Sequence, residues 1–305
     1  MIGYLCKRLA WALVVLLGIS GIVFVVVHLS GDPAALYMSP EGTKEDYELL
    51  RSAMGFDRPL PEQYGLFLWR AARGDFGRSL RHQQPTLPLV LARFPATLAL
   101  TLAAMLLALL LALPLGLLSA LRRNSVLDTG GMMLALAGQC MPTFWLGILL
   151  ILVFAVQLRW LPVYGGDGPA TLVLPAVTLG AWAMARTARI TRSSMLDVLH
   201  QDFLRTARAK GVGEWAVVLR HALRNCAIPI VTALGLELGN LLGGAVITEA
   251  VFAYPGIGRL AVEAVVNKDV PLIQAVVLTV ASAVLLLNIL IDVVYVLLDP
   301  RIRLA

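Results

Sequence analysis

Chemistry on nucleotide phosphates needs a lysine followed by serine or threonine at the end of a glycine-rich loop. The four lysines of this chain, Lys7, Lys44, Lys210 and Lys268, are followed by Arg8, Glu45, Gly211 and Asp269, so no such loop can form. The four histidines, His28, His82, His200 and His221, lie far apart, and the three cysteines show no paired spacing, so a metal site is not expected. Two kinds of residue are left that could do work. One is the basic stretch Asp202-Phe203-Leu204-Arg205-Thr206-Ala207-Arg208-Ala209-Lys210-Gly211. The other is a set of acids inside apolar runs: Glu237, Glu249 and Asp292. If ATP drives this protein, the ATPase is another chain, and the basic stretch is the expected contact.

The elements that position these residues are membrane spans. The chain is 59% apolar and 14% charged, with a mean hydropathy of +0.80. Uncharged runs of about 18 residues or more are long enough to cross a bilayer as helices. Six candidates appear: Leu9 to Leu29, the run between Arg93 and Arg122, that between Asp128 and Arg159, Thr171 to Ala185, Ala227 to Val251, and Leu272 to Leu298. The first resembles a secretory signal, because Lys7-Arg8 precede it, but its length and the lack of a small-residue cleavage site favour an uncleaved anchor. Pro114 and Pro142 interrupt helical spans, and Pro142, beside Gly138 and Phe144-Trp145, predicts a kink.

Orientation follows from the basic residues. With a cytoplasmic N-terminus, the inner segments hold 14 Lys and Arg against 5 acids, and the outer segments 11 against 11. The net charge of +6 is therefore topology, not a nucleic-acid footprint, and no soluble base-reading domain exists to suggest one. Cys6, Cys140 and Cys226 fall inside or within spans, so no disulfide framework is implied. Outside, residues 30–93 form the one sizeable extramembrane segment. Two amphipathic helices are predicted there. Glu45 to Met54 gathers Leu49, Leu50, Ala53 and Met54, and Glu62 to Ala72 gathers Tyr64, Phe67, Leu68 and Ala71, with Gly55 and Gly74 as stops. They read as a cap over the first two spans, or as part of a docking surface.

In the long inner loop, Arg186, Arg189 and Arg192 have a spacing that suits snorkelling to headgroups. Leu196, Leu199, Phe203 and Ala207 predict one apolar helical face, Gly211 and Gly213 a sharp exit, and Glu214 to Leu223 a second helix. Such a helix can press into a groove on a partner protein or lie on acidic lipid. The acids Glu237 and Asp292 stand uncompensated in apolar runs. Glu237 with Asn240 suits a translocation path, or a helix-to-helix hydrogen bond, and Asp292 suits a structural role.

The loop resembles that of the binding-protein-dependent ABC importer permeases, whose pattern is E-A-A-x3-G-x9-I-x-L-P. Ala207, Gly211 and Leu223 match it. Arg205, Thr206, His221 and Arg224 depart from it in the manner of the dipeptide, oligopeptide and nickel permease subfamily, with Arg205 to Gly211 and Arg220 to Asn225 as its variant motif. The likeness extends to Gly31-Asp32-Pro33, Gly55 to Leu60, Gly74 to Ser79, Arg93 to Leu98, Pro142 to Gly147, Thr248 to Phe252, Pro255 to Gly258 and Asp299 to Arg303.

That resemblance implies an all-α polytopic membrane protein of the type I importer permease fold, with six transmembrane helices and both termini cytoplasmic. Residues 1–92 would hold the first span and the outer segment. Residues 93–305 would hold the permease core, with a coupling loop at about 196–226. The chain would be a transport subunit of the bacterial inner membrane, not an enzyme. Its implied partners are a second related permease, two ATP-binding-cassette subunits carrying ATP and magnesium, a periplasmic or lipid-anchored substrate-binding protein, and membrane lipid. The ATPase-coupling residues would be Phe203, Arg205, Thr206, Ala207, Arg208, Lys210 and Gly211. Glu237 and Asn240 would line the path, and Glu249, Phe252, Pro255 and Gly256 would meet the binding protein. Dipeptides, oligopeptides, glutathione and nickel chelates all stay open as substrates. A self-sufficient secondary transporter or channel is the competing reading. It would need an intramembrane ion site from Glu237 or Asp292, and no inverted repeat is evident.

Overall fold

A computed structural model describes residues 2–29, 43–53, 57–163 and 168–298. Among these the chain is almost wholly helical, as its Leu- and Ala-rich runs predict. The helices are α1 (Ile2–Leu29), α2 (Lys44–Ala53), α3 (Leu60–Ala72), α4 (Thr86–Leu121), α5 (Val126–Cys140), α6 (Thr143–Leu150), α7 (Ala170–Leu199), α8 (Asp202–Ala209), α9 (Glu214–Ala216), α10 (Leu223–Val251), α11 (Ile257–Val266) and α12 (Val270–Leu298). Turns of π-helix extend α6 over Ile151–Gln157 and join α9 to α10 over Val217–Ala222. The motif residues 31–33 and 299–303, and Met54, Gly55 and Phe56, lie outside the described residues.

Among the described residues, four helical stretches are long and apolar enough to cross a membrane: Cys6–Leu29, Thr86–Leu121, Glu214–Val251 and Val270–Val293. The predicted third span is not straight. Val126–Cys140 and Thr143–Gln157 meet at 106°. The cause is Pro142, which holds Met141 in extended backbone (φ −77°, ψ 129°). A right-angled break thus replaces the expected kink. The predicted fourth span is the 30-residue α7, whose apolar part is cut short by Arg186, Arg189 and Arg192. Pro114, in contrast, leaves α4 unbroken over 36 residues.

The chain divides into two compact units. The first comprises Met1–Ala96 and Pro255–Ile289. Its core is Val90, Ile257, Leu260, Ala264, Leu272, Ala275 and Val276, with Phe76 and Phe94 against them. Asp269 is fully buried and ties the loop after α3 to the start of α12. It accepts from Ser79 Oγ at 2.5 Å and from the Leu272 N–H at 3.3 Å, an N-cap arrangement. The α3 helix packs on α1, the first of the two spans that the expected cap would cover. Tyr64 bonds to Ser20 Oγ at 2.8 Å and donates to the Leu17 carbonyl at 3.0 Å, while Phe24 meets the rings of Tyr64 and Phe67. Gly74, at φ +76°, closes α3 as predicted. Ahead of α2, Thr43 and Asp46 form a reciprocal capping box. The hydrogen bond from the Thr43 N–H holds the Asp46 carboxyl below its ordinary value. Leu49, expected on the apolar face of α2, is exposed.

The second unit comprises Thr97–Tyr254 and Leu290–Ala305. Here α7 packs against α5, α6 and α10. Small residues bring it close to α4 as well. A β-carbon on Gly180 would fall 2.7 Å from the Ala104 carbonyl oxygen, and one on Gly116 would fall 2.6 Å from that of Ala188. Both glycines are therefore required by backbone contact, the usual way for helices to associate tightly in lipid. One core cluster (Leu100, Ala104, Ala108, Ala176, Leu179, Ala183, Leu241, Ala245) joins α4, α7 and α10. A second, at the other end, centres on Met195, Val198, Leu204, Val217, Val218 and Cys226.

Candidate functional site

The basic loop folds as a corner and a short helix. His200 (φ −95°, ψ 0°) ends α7, and Gln201, in extended backbone (φ −76°, ψ 146°), starts α8 in a new direction. The expected single face through Leu196, Leu199, Phe203 and Ala207 therefore does not exist, because a helical period cannot be counted through a break. Leu204, not Phe203, is the anchor. It is fully buried among Met195, Val198, Val217, Val218, Ala222 and Cys226, with Ala207 half-buried beside it. Asp202, Phe203, Arg205, Thr206 and Lys210 are exposed. Burying Leu204 gives the helix an inner face worth about 2 kcal/mol in removed apolar surface and fixes which face points outward.

The exit from α8 is equally determined. Gly211 adopts φ +78°. Its N–H bonds to the Arg208 carbonyl at 2.9 Å and that of Val212 to the Ala207 carbonyl at 3.2 Å, the pattern of a Schellman cap. Arg208 then reaches across the turn. Its Nε donates to Glu214 Oε2 at 3.0 Å and its Nη2 to Oε1 at 2.8 Å. The hydrogen bond to Glu214 raises the Arg208 guanidinium further above its ordinary value. α8 is thus held at both ends and along one side. Beyond the turn, Trp215 is 66% exposed. Sequence reading passed it over, although a tryptophan beside a coupling-like loop is a recognisable signal.

Within the unit, α7 carries two acid–base contacts. Near its inner end, Arg192 grips Asp128 with two hydrogen bonds, Nε to Oδ1 at 2.6 Å and Nη2 to Oδ2 at 2.7 Å. Asp128 also accepts the Asn124 N–H at 3.0 Å, and its own N–H is capped by Ser125. Two turns earlier, Arg186 Nη1 lies 2.8 Å from Glu237 Oε1 on α10. This overturns two expectations. Arg186 and Arg192 bind acids and do not simply snorkel to headgroups, and Glu237 is not uncompensated. Asp292 is not without a partner either. Partners from distant spans cannot be matched by spacing, so sequence reading missed both pairs. The Ser125-x-x-Asp128 spacing could have revealed the cap.

The Arg186–Glu237 contact is close but unaligned. Glu237 is fully buried, and neither of its oxygens receives a hydrogen bond. Asn240, one turn on, is exposed. At the far end of α10, Glu249 is buried and accepts from Thr97 Oγ1 at 2.6 Å, which fixes α10 to α4. Phe252 and Gly256 are buried, and Pro255 is exposed.

Comparison with known proteins accounts for this architecture. Residues 112–304 match the family described as the binding-protein-dependent transport system inner membrane component. Residues 1–101 match the N-terminal family model of the same transport-system membrane components. The chain belongs to this family: it is an inner-membrane permease component of an ABC importer and not itself an enzyme. It is 44% identical over 304 residues to the glutathione transport system permease protein GsiC of Escherichia coli strain K12, with 99% of each chain covered. The same holds for GsiC of Shigella dysenteriae serotype 1. Among solved structures, an inward-facing form of the MetNI methionine ABC transporter superposes with a TM-score of 0.54 at 20% identity, covering 68% of this chain and 93% of that one. The fold is that of a type I importer permease.

Proposed function

We propose that this chain pairs with a related permease to form the translocation path of an ATP-driven importer for small peptides, and that α8 is its coupling helix. The supporting observation is the arrangement of α8. It is anchored by Leu204, closed by Gly211 and braced by Arg208–Glu214, and it presents Phe203, Arg205, Thr206 and Lys210 outward. An apolar side chain among cations on a rigid short helix fits a groove with an acidic rim. The cytoplasmic side follows from the distribution of Lys and Arg. ATP and magnesium would sit on two separate ATPase subunits, since no lysine here can serve a phosphate loop. Closure of those subunits would push α8 and rock α7 and α10, to which it is packed. That stroke requires contacts that differ between the two states.

In this reading residues 93–305 are the permease core and residues 1–92 supply the first span and outer segment. A periplasmic or lipid-anchored binding protein delivers substrate at the outer side, with Glu249, Phe252, Pro255 and Gly256 as its proposed contacts. Glu237 and Asn240 belong to the path. GsiC's name makes glutathione the first substrate to test, followed by dipeptides. The test is uptake of radiolabelled glutathione and Ala-Ala by vesicles holding the complete transporter. ATP-dependent uptake of either supports the peptide class, and uptake of neither contradicts it.

A further inference from the structure

Arg186 is the residue of α7 for which the packing gives no complete account. Its guanidinium touches a carboxylate that receives no hydrogen bond, while 38% of its side chain stays exposed. It lies 5.7 Å from the ring of Trp182, one turn back. Arg186 is about 24 Å along α7 from Ala170, and Glu237 about 21 Å along α10 from Val251, at 1.5 Å per residue, so both fall in the inner half of a hydrocarbon core of about 30 Å. An ionised side chain at that depth faces the bundle interior or a watery cavity, not lipid. A carboxylate alone there would recruit a cation, but with Arg186 beside it the site is neutral, and its exposed member is the cation. A planar guanidinium with donors to spare is suited to a carboxylate ligand.

We infer that Arg186 is a substrate contact in the translocation path, taking a carboxylate of the passing peptide, and that Glu237 holds the guanidinium in place between transport events. This deepens the proposed function and rests on it. The test is ATP-dependent uptake of radiolabelled glutathione and Ala-Ala by vesicles containing the complete transporter. Binding-protein-stimulated ATP hydrolysis and co-purification of the subunits are measured alongside. Arg186→Gln should lower uptake at least tenfold while hydrolysis and co-purification stay within twofold of wild type, and Arg186→Lys should recover part of the loss. The double variant Arg186→Gln/Glu237→Gln should remain as poor as Arg186→Gln. Recovery of uptake in the double variant would mean that the arginine only neutralises a buried acid, and would overturn the inference. So would unchanged uptake in Arg186→Gln, or loss of the second permease from that variant. Failure of the wild-type transporter to take up either probe would instead remove the peptide reading itself, and the inference with it.

Discussion

The two buried acids that face α7 are met by arginines in opposite ways. Asp128 is saturated: two aligned bonds from Arg192 and one backbone N–H satisfy it. Glu237 is just as inaccessible, yet Arg186 only approaches it, and its oxygens take no hydrogen bond. A saturated pair has one low-energy arrangement and works as a clamp, here joining the inner end of α7 to the start of the bent span. An unsaturated pair leaves a buried polar group short of partners, which costs about 1–3 kcal/mol. Such a cost is tolerated where another state of the molecule, or a ligand, completes the bonds. The same helix therefore holds a fixed point and a responsive point six residues apart.

Mutations test this contrast. The largest effect is expected at the clamp. Asp128→Ala leaves Arg192 without its partner and should destabilise the protein by about 3–5 kcal/mol, read as a lowered midpoint of thermal unfolding in detergent. Leu204→Ala should cost about 2–5 kcal/mol by opening a cavity under α8, whereas Leu204→Met should cost less than about 1.5 kcal/mol. Proteolysis within residues 200–213 would report the loosening. Gly211→Ala places a β-carbon at φ +78° and should cost about 1–2 kcal/mol, with Gly211→Asn milder. Glu237→Gln removes a charge that was never fully bonded, so its effect on unfolding should stay within about 1 kcal/mol. A loss as large as that of Asp128→Ala would erase the distinction between the pairs. Smallest of all is Arg208→Ala. Its partner Glu214 is 59% exposed, and solvent limits such a pair to about 0.5 kcal/mol, weakening as salt rises.

Much of this fold is legible in the sequence. Uncharged runs predict the long helices, and Gly74 and Gly211 predict helix stops, because each of these signals is local. Signals that depend on a change of direction were misread. The apolar series through Leu196 and Phe203 looked continuous only because the corner at His200–Gln201 carries no glycine or proline. Pro142 was visible, but a single proline does not say whether a span bends slightly or turns through 106°. The ion pairs of α7 were invisible, since Asp128 and Glu237 become neighbours of its arginines only after three helices pack. Gly116 and Gly180, which allow that packing, look in sequence like any other glycines in a span.

The proposed function depends most on α8 being gripped by a separate ATPase. In a background with Cys6, Cys140 and Cys226 replaced, Thr206→Cys offers an exposed thiol on the outward face of α8. In the complete transporter it should cross-link to an ATPase subunit, with a yield that changes when ATP is bound. An ATPase that co-purifies yet never cross-links to this position, while the same thiol is labelled freely by a soluble reagent in every nucleotide state, would contradict it.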